Sequence, residues 1–297
     1  MEQIEKRNPV RTWIMASRPR TLTAAIVPVV VGTAVAVRDR VFNPWVALAA
    51  LFSAVMIQIG TNLANDLFDF KKGADTHTRL GPTRVTSAGL LTPREVEIGM
   101  WVVFGLAAAS GLYVIYVGGW PMLVIGVASI LAGVAYTAGP FPLGYNGLGD
   151  LAVFIFFGLV AVLGTYYAQA RAVTLGAVLA AVPVGALATA ILVVNNVRDA
   201  DTDRAAGKRT LAVLLGRGAA RAEYAVLLTL AYAAPLALWL LRGASVWALL
   251  PLLTLPVAAR LARVVITTEG PALNRALAGT AQLLALYGVL FALGIAL

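Results

Sequence analysis

Charged residues withdraw from the chain for long intervals: residues 21–37, 41–65, 98–149, 151–170, 172–197, 224–241, 243–259 and 276–297 contain no Asp, Glu, Lys or Arg. Each interval except the third is about the length of one membrane-crossing helix, roughly 17 to 25 residues. The third has 52 residues, room for two helices, and Val117-Gly118-Gly119-Trp120-Pro121 breaks it near its middle. The pattern predicts an all-α integral membrane protein with nine transmembrane helices. A helix satisfies its own backbone polar groups where no water can. Nine helices of roughly 20 residues use about 180 residues, which leaves no room for a separate soluble domain. Residues 1–297 therefore read as a single polytopic domain. The opening MEQIEKRNPVRTW mixes basic residues with glutamates and lacks a short apolar core followed by a small-residue cleavage site, so it reads as a retained amphipathic lead-in.

Composition agrees with this pattern. The chain is 60% hydrophobic and 12% charged, against roughly 25% charged in soluble domains. With no cysteine there is no disulfide, thiolate nucleophile or Cys-ligated metal, and the single histidine, His77, argues against a histidine-rich centre. The net charge of +9 fits nucleic acid, an anionic substrate or an anionic membrane face, and position decides among them. With the N-terminus on the cytoplasmic side, 19 Lys and Arg fall on inner segments, while only Arg38, Arg40, Arg171 and Arg242 fall outside. That is the expected distribution for a multi-pass protein of the cell membrane with a cytoplasmic N-terminus. No nucleic-acid partner is needed to explain the charge. Thirteen of the 14 carboxylates also collect on the inner side, Asp39 being the exception. Acidic residues contribute little to topology, so their placement needs a chemical reason.

The reason lies in two motifs. At the end of the second span, Asn62, Asp66 and Asp69 recur at i, i+4 and i+7, with Asn65 one turn before Asp69; at the end of the sixth, Asn195, Asp199 and Asp203 occupy successive turns. Each set forms one polar stripe on a helix. Like charges one turn apart repel, so such stripes require a cation between them. Carboxylate oxygens suit hard divalent ions, and Mg²⁺ commonly takes one or two carboxylates while sharing its remaining positions with water and substrate phosphate. Lys72, Arg79 and Arg84 follow the first motif, and Arg198 and Lys208 interleave with or follow the second. Such cations neutralise phosphate oxygens. A cavity among nine apolar helices suits a long hydrocarbon tail, and the combination points to an isoprenoid diphosphate.

At these residues the sequence resembles the UbiA superfamily of intramembrane aromatic prenyltransferases and, within it, the MenA branch of 1,4-dihydroxy-2-naphthoate polyprenyltransferases. The likeness runs over nearly the whole chain. It is carried by ASRPRTL before the first span, NLANDLFDFKKGAD and RLGPTR after the second, YTAGPFPLGYNGLGD from Tyr136 to Asp150, FFG at Phe156 to Gly158, and NNVRDADTDRAAGKRTLAVLLG from Asn195. The resemblance implies a UbiA-like bundle with its active site at the cytoplasmic end. It also implies Mg²⁺-dependent transfer from a polyprenyl diphosphate to 1,4-dihydroxy-2-naphthoate, with loss of pyrophosphate and CO₂, to give demethylmenaquinone. Carried over by motif, Asp66, Asp69, Asp199 and Asp203 are the metal-binding and catalytic carboxylates, with Asn65 beside them on the diphosphate. Asn62, Lys72, Arg79, Arg84, Asn195, Arg198 and Lys208 complete the expected substrate-binding set. One departure stands out: many relatives place an Asp four residues after Asp69, where this chain has Gly73, and Asp75 comes two residues later.

Other residues have two readings. Tyr136 lies on the active face by resemblance, or is an interfacial anchor. Asp150 reads as a helix cap. Phe154, Phe157, Tyr166 and Tyr167 are candidates to shield a carbocation but read first as packing residues, and His77 as a solvated loop residue. Arg18 and Arg20 either approach the diphosphate or anchor the first span. Trp13, Trp45 and Trp120 fit an aromatic belt at the lipid bilayer surface. Acceptors such as 4-hydroxybenzoate or homogentisate remain alternatives. A CDP-alcohol phosphotransferase does not fit, because Phe70-Lys71-Lys72 follows Asp69 where that motif continues differently. A transporter would bury its ionisable groups near the bilayer midplane, whereas these cluster at one end.

Overall fold

The computed structural model of the chain describes residues 8–73, 80–81 and 84–297, and among them every regular element is helical. Helix α1 (Pro9–Ser17) is started by the Asn8 side chain, which accepts from the Val10 and Arg11 amides. Arg18, at φ 51, and Pro19 then bend the chain by 54° into α2 (Thr23–Arg38). The succeeding helices are α3 (Pro44–Lys71), α4 (Pro93–Gly118), α5 (Trp120–Ala135), α6 (Gly149–Ala170), α7 (Leu175–Ala205), α8 (Gly216–Arg242), α9 (Val246–Thr267) and α10 (Gly270–Ala296).

Seven of these helices, α3, α4 and α6 to α10, are long and apolar enough to cross a bilayer, and the bent α1–α2 pair makes an eighth candidate. The one expected span left over, the fourth along the chain, falls on α5, which has only 16 residues. At 1.5 Å per residue it reaches about 24 Å, short of a hydrocarbon core of about 30 Å. The chain is a multi-pass membrane protein by this measure. The expected break is where the sequence puts it: Gly119, at φ +84, ends α4, and Pro121 lies in the first turn of α5.

Helix α7 lies at the centre, with 72% of its apolar window buried, and packs against α2, α6, α8 and α10. On the other side of the bundle, α3 pairs with α4 and α5. Side chains cross-link the helices within the bundle: Ser53 with Ser110 (2.6 Å), Tyr224 with Thr280 (3.0 Å) and Tyr232 with Thr254 (2.6 Å). The outward faces expose Leu48, Trp101, Leu112, Tyr116, Leu131, Leu240 and other large apolar side chains, as a lipid-facing surface requires.

Candidate active site

Both acidic stripes sit on the final turns of long helices, at the same end of the bundle, and they converge on one cavity. Its volume is about 1120 Å³, larger than the roughly 300–1000 Å³ usual for ligand pockets. Asn62, Asn65, Asp69, Arg84, Tyr136, Tyr145, Asn195, Asn196, Asp199, Asp203 and Lys208 line one end of it. Beyond them the wall becomes apolar: Ile57, Ile115, Met122, Leu123, Ile125, Phe156, Phe157 and Val160 run toward the opposite end of the helices. The cavity therefore has a charged mouth and a hydrocarbon interior.

Asp69 is the hub of the mouth. It is 1% exposed, accepts from the Arg84 guanidinium and from Tyr145 Oη (2.6 Å), and lies 4.0 Å from Lys208 Nζ. The same ammonium lies 3.8 Å from Asp203, so one cation bridges the two stripes. It also stands 4.8 Å from the centre of the Tyr145 ring, with Lys72 Nζ at 4.7 Å. Lys72 donates to the Thr137 carbonyl (2.6 Å) and Thr137 Oγ1 to Asn65 (3.0 Å), which ties the α5–α6 loop to the first motif. Burial lowers the Lys72 pKa and the Lys208 charge adds to that, against the Asp69 charge. Burial, followed by the charges of Asp150, Asp69 and Asp203, pushes the Tyr136 phenol well above its ordinary range, so it remains a neutral hydroxyl.

Several residues stand elsewhere than the motifs alone suggest. Asp66 is buried off the cavity wall, and its two oxygens accept the Val85 (3.0 Å) and Thr86 (3.1 Å) amides. It holds the segment that delivers Arg84. Asn62 lines the cavity, but its amide donates to the Ser17 carbonyl and Thr21 hydroxyl, both 2.9 Å, pinning the first bend. Arg198, expected at the diphosphate, is 1% exposed and turned into the helix bundle. It grips Asp199 (2.7 and 2.5 Å), Asn195 (2.7 Å) and Asn274 (2.8 Å), because a guanidinium in that dry position needs every donor matched. Its effect is to aim Asp199 and Asn195. Arg79, His77 and Asp75 lie outside the described residues.

Asp150 departs from its expected capping role. Leu148 occupies the cap position without a side-chain bond, and the Asp150 carboxylate is buried, accepting from Asn196 Nδ2 at 3.2 and 3.4 Å. Arg18 and Arg20 line the cavity. So does Phe157, whereas Tyr166 bonds Asp39 (2.7 Å) at the far end of the bundle. Tyr145, Thr137 and Asn274 were not singled out in the sequence. Only the loop Tyr136 to Asp150, dense in Gly, Pro and Tyr, hinted that a structured connection covers the mouth.

Among the described residues no three carboxylate or imidazole groups are arranged around a common metal position. Even so, the donors at the mouth are oxygens, and the point between Asp69 and Asp203 already gathers positive charge. That chemistry fits a hard divalent ion.

The model of the UbiA prenyltransferase family matches residues 25–287. The chain is 38% identical over 292 residues to a 1,4-dihydroxy-2-naphthoate octaprenyltransferase of Escherichia coli (strain K12), covering 96% of this chain and 95% of that protein. It is 42% identical over 250 residues to the protein of the same description in Mycobacterium tuberculosis, covering 84% of each. In three dimensions it is similar to a UbiA homolog from Aeropyrum pernix K1 (TM-score 0.70, 18% identity, 92% of this chain and 96% of that one). It is also similar to a UbiA homolog from Archaeoglobus fulgidus bound to DMAPP and Mg²⁺ (TM-score 0.68, 15% identity, 96% and 99%).

Proposed function

Given that the chain belongs to the UbiA prenyltransferase family, we propose that it transfers a long polyprenyl group from its diphosphate to 1,4-dihydroxy-2-naphthoate at the membrane. The observation that carries this reading is the convergence of Asp69 and Asp203, from two distant helix ends, on one cation at the mouth of a long apolar cavity. The names of the Escherichia coli and Mycobacterium tuberculosis relatives supply the acceptor and an octaprenyl donor.

Asp69, Asp199 and Asp203 would hold Mg²⁺, with Asn65 and Asn195 as neighbouring oxygen donors. The metal, when bound, supplies charge that neutralises the leaving pyrophosphate. Lys208, 4.0 Å from Asp69, would donate to the same phosphate oxygens, and the Arg84–Asp69 pair would fix the carboxylate that faces them. The apolar wall beyond takes the polyprenyl tail and keeps water from the allylic carbon. Rupture of the C–O bond leaves its electron pair on pyrophosphate. The electron-rich ring forms the new C–C bond at the carbon bearing the carboxylate, and CO₂ departs, leaving its bonding pair to restore aromaticity. The product is the prenylated naphthoquinol, the reduced form of demethylmenaquinone. Residues 1–297 act here as one catalytic domain, with the mouth and the N-terminus on the cytoplasmic side.

The test is product formation by purified membranes supplied with polyprenyl diphosphates and dihydroxynaphthoate, read by mass spectrometry. Chelation should abolish prenylated product, and added Mg²⁺ should restore it. Asp199→Ala should lower turnover by about 100-fold or more, the scale of losing an electrostatic group at a reacting centre. Metal-independent turnover, wild-type rates in Asp199→Ala, or a preference for 4-hydroxybenzoate or homogentisate would each count against the proposal.

A further inference from the structure

Asn196 and Asp150 have no part in the scheme above, yet they form a buried polar pair beside the cavity. Asn196 lies on its wall and is 6% exposed; Asp150 lies behind it, 4% exposed and off the wall. Both Asp150 oxygens accept from the same Asn196 nitrogen, at 3.2 and 3.4 Å. A carboxylate can only accept, so the pair allows one orientation of the amide: nitrogen toward Asp150, carbonyl oxygen away from it. These two contacts are the only side-chain hydrogen bonds of Asn196 among the described residues. Its carbonyl oxygen is not among the sealed side-chain atoms that lack a partner, so on this cavity-lining residue it is an acceptor open to a donor from a ligand.

Its position narrows what that partner is. Asn196 precedes Asp199 by three residues on α7, about 4.5 Å from it along the helix and level with Asn195, at the inner margin of the acidic mouth. An acceptor-only oxygen backed by a carboxylate repels phosphate and carboxylate and selects a hydroxyl donor. Tyr136 stands alongside: its ring packs on Gly144 and its hydroxyl lies against Gly149, next to Asp150. Directly inside the diphosphate site is where a ring must lie to meet the allylic carbon.

We propose that Asn196, held in one orientation by Asp150, receives a hydrogen bond from a ring hydroxyl of the aromatic acceptor. Asn196 is then a substrate-binding residue and Asp150 a positioning residue. The bond fixes the ring beside the reacting carbon and draws the hydroxyl toward phenolate character, which enriches the ring carbons. This inference rests on the acceptor being a hydroxylated aromatic, as argued above.

The purified full chain in detergent is titrated calorimetrically with 1,4-dihydroxy-2-naphthoate and with 2-naphthoate, which keeps ring and carboxylate but has no hydroxyl. In Asn196→Leu the Kd of the first should weaken about tenfold, the scale of one lost hydrogen bond, and that of the second should change by less than about twofold. Asn196→Leu leaves Asp150 without its partner, so the Asp150→Leu/Asn196→Leu double variant, which replaces both polar groups, provides a folded background for the same comparison. Asp150→Asn, which lets the Asn196 amide turn over, should raise the KM for dihydroxynaphthoate about threefold and leave the KM for prenyl diphosphate unchanged. Equal losses for both naphthoates, or a loss for neither, overturn the proposal. A wild-type chain that prenylates no hydroxylated ring brings down the functional reading as well, whereas wild-type activity with unaltered discrimination brings down this inference alone.

Discussion

Identical side chains at the mouth have different work, which their neighbours define. Asp66 and Asp203 both belong to Asn-x-x-x-Asp stripes, yet Asp66 satisfies two buried amides while Asp203 lines the cavity near Lys208. Removing Asp66 strands those amides at about 1–3 kcal/mol each. Asp66→Ala should therefore lower the thermal midpoint of the purified protein as well as its turnover, whereas Asp203→Asn should lose turnover with little change in midpoint. Scanning fluorimetry beside a rate assay separates the two, and the reverse pattern would refute the assignment. Tyr136 gives a second test. Because burial and nearby carboxylates raise its phenol, it does not ionise in the working range, and the pH–rate profiles of wild type and Tyr136→Phe should run parallel from about pH 6 to 10. A wild-type alkaline limb missing from Tyr136→Phe would show that the phenol titrates. The two stripes were legible in the sequence because helical spacing alone puts those residues on one face. The inward turn of Arg198 and the pairing of Asp150 with Asn196 were not, since each depends on a partner 46 or 76 positions away.

At the scale of elements, close approach of helices sets the cavity walls. Helices α6 and α7 meet at Gly158 and Gly185, where a Cβ built on Gly158 would come within 2.5 Å of the Gly185 Cα. That contact lies within a π-helical stretch, Phe154–Val160, whose Phe156, Phe157 and Val160 line the cavity. Gly158→Ala must push α6 off α7 and should cost about 1–3 kcal/mol, an overpacking penalty, seen as a lower thermal midpoint and a raised KM for the prenyl donor. An unchanged midpoint would mean the helices separate freely. The FFG motif marked this place by resemblance, but no pattern of apolar residues distinguishes a glycine that touches a backbone from one that faces open space, as Gly105 and Gly126 do on neighbouring helices. Helix α5 shows the same boundary between local and tertiary information. Its limits follow from glycine and proline in the sequence, whereas its place beside α3 and α4, each longer by ten residues or more, is set by packing across the bundle.

Across the whole molecule, charge is partitioned between two ends. The mouth gathers Asp69, Arg84, Asp199, Asp203 and Lys208, while Arg38 pairs with Asp39 (2.9 Å) and Arg171 bonds the Val117 carbonyl (2.7 Å) at the opposite end. The chain contains no cysteine, so single cysteines report sidedness directly. With the mouth cytoplasmic, Ala172→Cys should react with a membrane-impermeant maleimide in intact cells, and Ser87→Cys should react only after permeabilisation. The opposite labelling would invert the orientation. The sequence by itself determined the membrane-spanning class, the charge asymmetry and the two acidic helix ends, because hydropathy and helical periodicity are local properties that a short window contains. Only the tertiary structure decided that Lys208 bridges Asp69 and Asp203, that Asp66 and Arg198 support their neighbours, and that Asn196 pairs with Asp150 on the cavity wall. Those roles depend on which desolvated groups meet across the bundle, and a buried polar atom takes its function from the partner that satisfies it.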